Sequence, residues 1–258
     1  VSDTTVAKAI NASSLAELSW LDPAGDPQVR GVVALVRRDQ PALAFTYAAE
    51  SVARQVASSS TLVLALREIR STGTGFRPVL IEGTPRLLED PSGDLFVADL
   101  LAQELRRFPP SRLLADSLLL MREHWWYLPR LVVEIDVASI RPVPARDDST
   151  SHLLVVANRD RPEVAVARLR QDHDDVLTLD VVGPVPDAGP AVLFGQDASF
   201  PDLERWSQWQ YRGRWDGTAF RVLDAPARPG LGPVPGVLQR WRRQRALERR
   251  CIEALRRA

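Results

Sequence analysis

The polar stretch at residues 50–60 carries Ser51, Arg54 and Gln55, so a hydroxyl, a guanidinium and an amide fall within two helical turns just after an apolar strand. With the free amides and positive dipole end of a short helix, such donors suit a phosphate or another oxyanion. Other candidate groups carry less. His124 beside Trp125 and Trp126 could stack a planar ring, although a lone histidine in that setting reads first as a packing residue. His152 and His173 lie on polar segments and are expected in solvent. Asp172, Asp174 and Asp175 read as a solvated hairpin turn, because a metal there would need further oxygen ligands. Gly73-Thr74-Gly75 lacks the following helix of a phosphate cradle, so a turn is expected. Cys251 is the only cysteine, which excludes an internal disulfide and a cysteine-cluster metal site. Lys8 is the only lysine, which argues against Schiff-base chemistry.

These residues need a scaffold, and the pattern supplies one. Hydrophobic residues at 45% and charged residues at 26% are those of an ordinary globular chain, long enough at 258 residues for two cores. A net charge of zero gives no whole-molecule argument for nucleic acid. We find no apolar run of about eighteen residues and no basic-then-apolar leader, so a cytoplasmic location without membrane contact is expected. An N-terminal helical segment leads to a strand that meets the turn signal Asp22-Pro23-Ala24-Gly25-Asp26-Pro27. Strands follow at 29–36, 42–47 and 62–66, then at 79–81 running on to 86–88, where Gly83 suggests a bulge. A helical insertion is expected over 94–124 and a further strand over 131–136.

Residues 145–151 are polar and mark a boundary, after which the first unit's pattern returns. Asp26-Pro27 answers Arg161-Pro162 at a separation of 135 residues, and Glu82-Gly83 answers Arg212-Gly213 at 130, which points to a duplication. The second unit has Gly183–Pro190, with three prolines and no cation, where the first has its polar stretch. The expected division is 1–145, a degenerate 150–225, and a linker with a basic helix over 226–258. Residues 237–258 hold eight arginines against two glutamates; we read them as a packing helix anchored by Trp241 and Ile252, with nucleic-acid association as an alternative.

The order of elements, with Val29-Arg30-Gly31-Val32, Phe45-Thr46-Tyr47-Ala48, Ser51-Val52-Ala53-Arg54-Gln55-Val56 and Leu62-Val63-Leu64, resembles the pyridoxamine 5'-phosphate oxidase-like family of split β-barrels. The resemblance implies a mainly β (α+β) fold, a split β-barrel duplicated in tandem as an internal pseudo-dimer, with a helical insertion and a C-terminal helix. It implies FMN as cofactor, with F420, heme or none as alternatives, and, for an enzyme, a flavin- or deazaflavin-dependent oxidoreductase. The cofactor-binding residues it implies are Arg30, Thr46, Tyr47, Ser51, Arg54 and Gln55, with Trp206 or Trp209 closing a single site per chain. The cofactor-free or ligand-sensing alternative rests on Val52, which stands where many relatives carry lysine. The expected partner is a small molecule, and the expected assembly a monomeric pseudo-dimer or a homodimer.

Overall fold

A computed structural model describes residues 3–72, 75–112, 125–173, 175–234 and 236–258. His124, Asp174 and Gly73-Thr74, together with the latter half of the expected insertion, lie outside the described residues. The chain is mainly β, of split-barrel type, with a long last helix.

Helix α1 (Asp3–Ala12) precedes β1 (Ala16–Leu21), β2 (Pro27–Val32), β3 (Leu35–Arg37) and β4 (Gln40–Thr46). Helix α2 (Glu50–Ser58) then leads to β5 (Leu62–Leu66) and β6 (Val79–Asp90). A π-turn (Phe96–Leu100) and helix α3 (Leu101–Arg107) come before β7 (Arg130–Pro142). These strands form a seven-stranded antiparallel sheet in the order β2-β1-β5-β6-β7-β4-β3. The second unit runs β8 (Ser151–Asn158), β9 (Arg161–His173), β10 (Val176–Val182), β11 (Gly189–Ala198), β12 (Trp206–Trp215) and β13 (Ala219–Asp224). It closes as a barrel in the order β10-β13-β12-β11-β8-β9. Helix α4 (Val237–Leu255) follows.

Only Val33 and Ala34 separate β2 from β3, and the two together pair with β1 and β4 as β9 pairs with β8 and β10. Taken as one interrupted strand, they give both sheets the same strand order. The glycine landmarks fall at matching bulges: register shifts at Glu82/Gly83 in β6 and at Arg212/Gly213 in β12. A Cβ at Gly83 would sit 2.4 Å from the Asp136 carbonyl oxygen, and one at Gly213 would sit 1.9 Å from that of Arg221. No side chain fits at either bulge. The Asp22 turn also forms, its carboxylate accepting from the Ala24 and Asp26 amides at 2.9 and 3.0 Å, with Gly25 at φ +85°.

Strand period explains the continuous apolar runs. In β5, Leu62, Leu64 and Leu66 fill the first core, while Val63 and Ala65 turn outward. In β8, Leu154 and Val156 fill the second barrel, while Leu153 and Val155 turn outward. The outward sets meet with Val29, Leu80, Val164, Val166, Val192 and Phe194 in a third apolar layer between the units. Both faces of these strands are therefore buried. The packing is reciprocal, β1 lying on β9 and β2 on β8.

A buried charge cluster borders that layer. Glu17 of β1 takes hydrogen bonds from Arg67 Nε, from Arg67 Nη2 at 3.2 Å and from Arg146 Nη2 at 2.6 Å. All three side chains are at most 1% exposed. Arg67 Nη1 also donates to Ser151 Oγ at 2.7 Å, and Arg146 Nη1 to the Gln196 carbonyl at 2.9 Å, so the second unit supplies part of the cage. Burial alone would raise the Glu17 carboxyl, but the two guanidiniums outweigh it and hold the group below the usual carboxylate range.

Two expectations need correction. His152 is 5% exposed, not solvated: its Nδ1 donates to the Thr150 carbonyl at 2.7 Å and its Nε2 accepts from Trp209 Nε1 at 3.3 Å. Both ring nitrogens are occupied in the neutral form, and burial lowers the pKa to about 4. Trp241 is not the anchor of α4; it is 55% exposed, and the helix is held by buried Cys251 and Ala254 with Leu247, Ile252 and Leu255 beside them. No described helix is long and apolar enough to cross a membrane.

Two predictions follow from these buried groups. Replacing Glu17 with Gln leaves two buried guanidiniums without their carboxylate and should cost about 3–5 kcal/mol, read from urea unfolding at neutral pH. An unfolded histidine titrates near 6.5, whereas His152 stays neutral until about pH 4 in the native state. Its contribution is therefore complete above pH 6.5 and is lost as the pH falls toward 4, a swing of about 3 kcal/mol. Urea midpoints of the parent should fall across that window more steeply than those of His152→Gln; parallel curves would exclude His152 as the source.

Candidate functional site

A cleft of about 200 Å³ lies where the first sheet meets the start of β12. Its walls come from β2 (Arg30), β4 (Thr46), the first residue of β7 (Arg130), Glu104 of α3, Tyr127 and Trp206. Trp206 belongs to the second unit, packs edge-on against Phe108 with centroids 5.9 Å apart, and donates from Nε1 to Gln196 Oε1 at 3.0 Å. Gln196 borders the buried cluster, its amide nitrogen 3.5 Å from Glu17 Oε1. Nearby, the Gln208 side chain pairs with both the N–H and the C=O of Gly31, at 3.0 and 3.2 Å, and so completes the edge of β2.

Arg130 is the chemically distinctive group. It is fully buried, and its guanidinium lies between the rings of Phe96 and Tyr127, at 3.9 and 4.1 Å from their centroids. Nη1 donates to the Pro129 carbonyl at 3.2 Å, while Nε and Nη2 have no hydrogen-bond partner among the described residues. The Glu104 carboxylate stands 3.6 Å from Nη2, too far for a hydrogen bond. Its Oε1 is occupied by the Tyr127 hydroxyl and by Ser111 Oγ at 2.8 Å. Burial, with Glu104 alongside, pushes the Tyr127 phenol far up, so it stays protonated as a donor.

Two further arginines raise the positive potential. Partial burial lowers the pKa of Arg30, and Arg250 of α4 lowers it further. Neither finds a carboxylate within ion-pair distance among the described residues. Helix α4 backs the cleft through Cys251, whose buried thiol contacts the Thr46 side chain and the Ala48 backbone. Desolvation raises that thiol above its ordinary pKa. Two guanidiniums, Arg30 and Arg130, thus line one small cleft with a single, already occupied carboxylate, and Arg250 of α4 adds positive charge near Arg30. This arrangement can hold an oxyanion and present an aromatic wall beside it.

Of the residues expected from sequence, Arg30 and Thr46 line this cleft and Trp206 closes it. Tyr47 is buried in the first core, its hydroxyl without a partner among the described residues, and burial raises its pKa. Ser51, Arg54 and Gln55 lie on α2, outside the cleft. Arg54 is committed elsewhere, to Glu50 and Glu89 at 2.9 Å each, and Glu50 already occupies the first turn of α2. Trp209 points into the second barrel toward His152. Sequence reasoning did not single out Arg130 or Arg250. The available signal was an arginine set between the 125–127 aromatic cluster and a strongly apolar strand.

A second cavity, of about 350 Å³, lies on the other flank of the interface, between Glu82, Ser139 and Arg141 of the first sheet and Arg161, Glu163 and the 184–186 prolines of the second. Its Glu163 is engaged by Asn158 and the Asp187 amide, and its Arg141 by the Val164 carbonyl. The larger volume therefore holds the less demanding polar groups, and the smaller cleft is the candidate site.

No protein-family model and no curated protein matches the chain. Among solved structures, a heme-binding protein from Mycobacterium smegmatis is similar over 100% of this chain and 99% of its own, at 13% identity and a TM-score of 0.37. A heme storage protein from Vibrio cholerae covers 55% of this chain and 95% of its own, at 10% identity and a TM-score of 0.39. An F420 reductase covers 52% and 94%, at 13% identity and a TM-score of 0.36.

The seating of Cys251 is testable. A thiol reagent such as DTNB should leave the native protein unmodified and titrate one thiol per chain after denaturation. Rapid native reaction would mean that α4 leaves the barrel readily.

Proposed function

We propose that the chain binds a planar, anion-bearing cofactor of the flavin or deazaflavin type, once per chain, in the cleft between Arg130 and Trp206. The single observation that carries this reading is the buried Arg130 guanidinium, whose Nε and Nη2 are unmet and which lines a cleft with an aromatic wall. Leaving charged donors unsatisfied in a protein interior is costly, and an incoming phosphate or carboxylate would meet them. Arg30 lines the same cleft and Arg250 adds positive charge near it, so both add to the attraction, and Thr46 offers a hydroxyl. The donor set fits the group, although it is drawn from β2, β4 and β7 rather than from α2. When bound, such a cofactor supplies hydride chemistry, which makes the chain an FMN- or F420-dependent oxidoreductase; the protein's part is to bind, orient and shield.

In the same reading the two units are tandem copies. Support comes from their common strand order, the matching bulge glycines and the reciprocal packing. Only one copy contributes the buried unmet arginine, in keeping with a single site.

Heme, whose propionates are also anionic, is the alternative ligand, and a cofactor-free protein is the outcome if nothing binds. Titrating FMN, riboflavin, F420 and hemin by absorbance and fluorescence separates these. FMN or F420 should saturate at one per chain. Arg130→Gln or Arg30→Gln should each weaken binding about tenfold to a hundredfold, the equivalent of losing a charge-assisted contact of about 1.5–3 kcal/mol. Arg54→Ala should bind like the parent, since its partners are Glu50 and Glu89. Saturation by hemin alone would replace the flavin reading, and no saturation by any of the four would end it.

A further inference from the structure

The first half of α4 buries none of its described apolar side chains, although Arg240 pairs with Glu204 on its inner side. Residues 238–243 are all exposed, with Leu238 at 60% and Trp241 at 55%, and Val234 just ahead of the helix is 56% exposed. Burial of the helix begins only with Leu247 and is completed at Cys251 and Ala254. Leu238, Arg242, Arg245 and Arg249 recur at intervals of four, three and four residues, so they share one face. That face lies opposite the one that seats Cys251. Trp241 flanks the row, with the Arg245 guanidinium 5.7 Å from its ring centroid.

Charge is concentrated here in a chain whose net charge is zero. Residues 225–247 contain five arginines and no acidic residue. Arg245 reaches Glu248 at 3.0 Å and Arg240 reaches Glu204 at 3.3 Å. Arg242, Arg243 and Arg249 find no carboxylate among the described residues.

We propose that this projecting half-helix docks the protein on an anionic phospholipid surface. The row is convex and cationic, so a second copy of the chain would set cations against cations. Nucleic acid would engage the arginines and the indole but would leave Leu238 and Val234 in water. A bilayer surface takes all of them: guanidiniums at the headgroup phosphates, the indole at the interface, and the leucine and valine at the edge of the acyl region. This is surface attachment and involves no spanning segment. None of the residues concerned lines the cleft.

The test is co-sedimentation of the full chain with phosphatidylcholine vesicles and with vesicles containing about 30% phosphatidylglycerol. Binding should require the anionic lipid and weaken as salt rises. The variants Arg242→Gln/Arg245→Gln/Arg249→Gln and Leu238→Ser/Trp241→Ser should each lose about tenfold to a hundredfold in partitioning while melting like the parent. Equal binding to neutral vesicles would overturn the proposal. So would an apolar variant that partitions like the parent, or duplex DNA retention that exceeds vesicle binding and disappears in the arginine variant.

Discussion

Glu17 is a carboxylate sealed in the protein interior between two arginines, and the two units must be packed together for that to be tolerable. One carboxylate cannot neutralise two guanidiniums, and of the donors left over two go to Ser151 and one to the Gln196 carbonyl, both in the second unit, while Arg146 Nε has no partner among the described residues. Separating the units would strip those acceptors away and leave the charges half solvated. The apolar layer around Val63, Val155 and Phe194 provides the attraction, but it is non-directional and would tolerate sliding. The ion cluster selects one arrangement, because hydrogen bonds to charged groups decay steeply with misalignment.

The same arrangement builds the cleft. Gln196 touches Glu17 on one side and holds the Trp206 indole on the other, so the wall of the site is tied to the cluster that fixes the interface. Arg130 is held flat by two rings, while Glu104 is kept slightly out of reach by its own bonds to Tyr127 and Ser111. The cleft is therefore preorganised: its cation is fixed in place and left short of acceptors. Helix α4 supports two of its lining residues from behind, Cys251 against Thr46 and Arg250 near Arg30.

Much of the fold was legible because strand period and turn chemistry are local. The strand at 62–66 falls where the pattern places it, and Gly83 marks a bulge because no Cβ fits there. The long β6 likewise runs on through its glycine, as 79–81 continuing to 86–88 reads in sequence. The site was less legible. Arg54 has the right neighbours in sequence, yet its ion-pair partner Glu89 lies 35 residues away; Arg130 has the wrong neighbours, yet its nearby carboxylate, Glu104, stands 3.6 Å off and hydrogen-bonds elsewhere. What an arginine can do depends on which acceptors the fold denies it, and that is a tertiary property. His152 and Trp241 fail for the same reason, one drawn under a barrel and the other lifted off it.

The reciprocal packing of β1 on β9 and β2 on β8 is of a kind that two identical subunits usually make, but here one chain makes it with itself. Its two halves are held at an effective concentration set by the short tether at 143–150, so dilution cannot separate them. A change in an identical pair would also strike both flanks at once. In a single chain each flank can differ alone, and one flank of this interface holds Arg130 under a tryptophan wall while the other sets Arg141 and Arg161 among prolines.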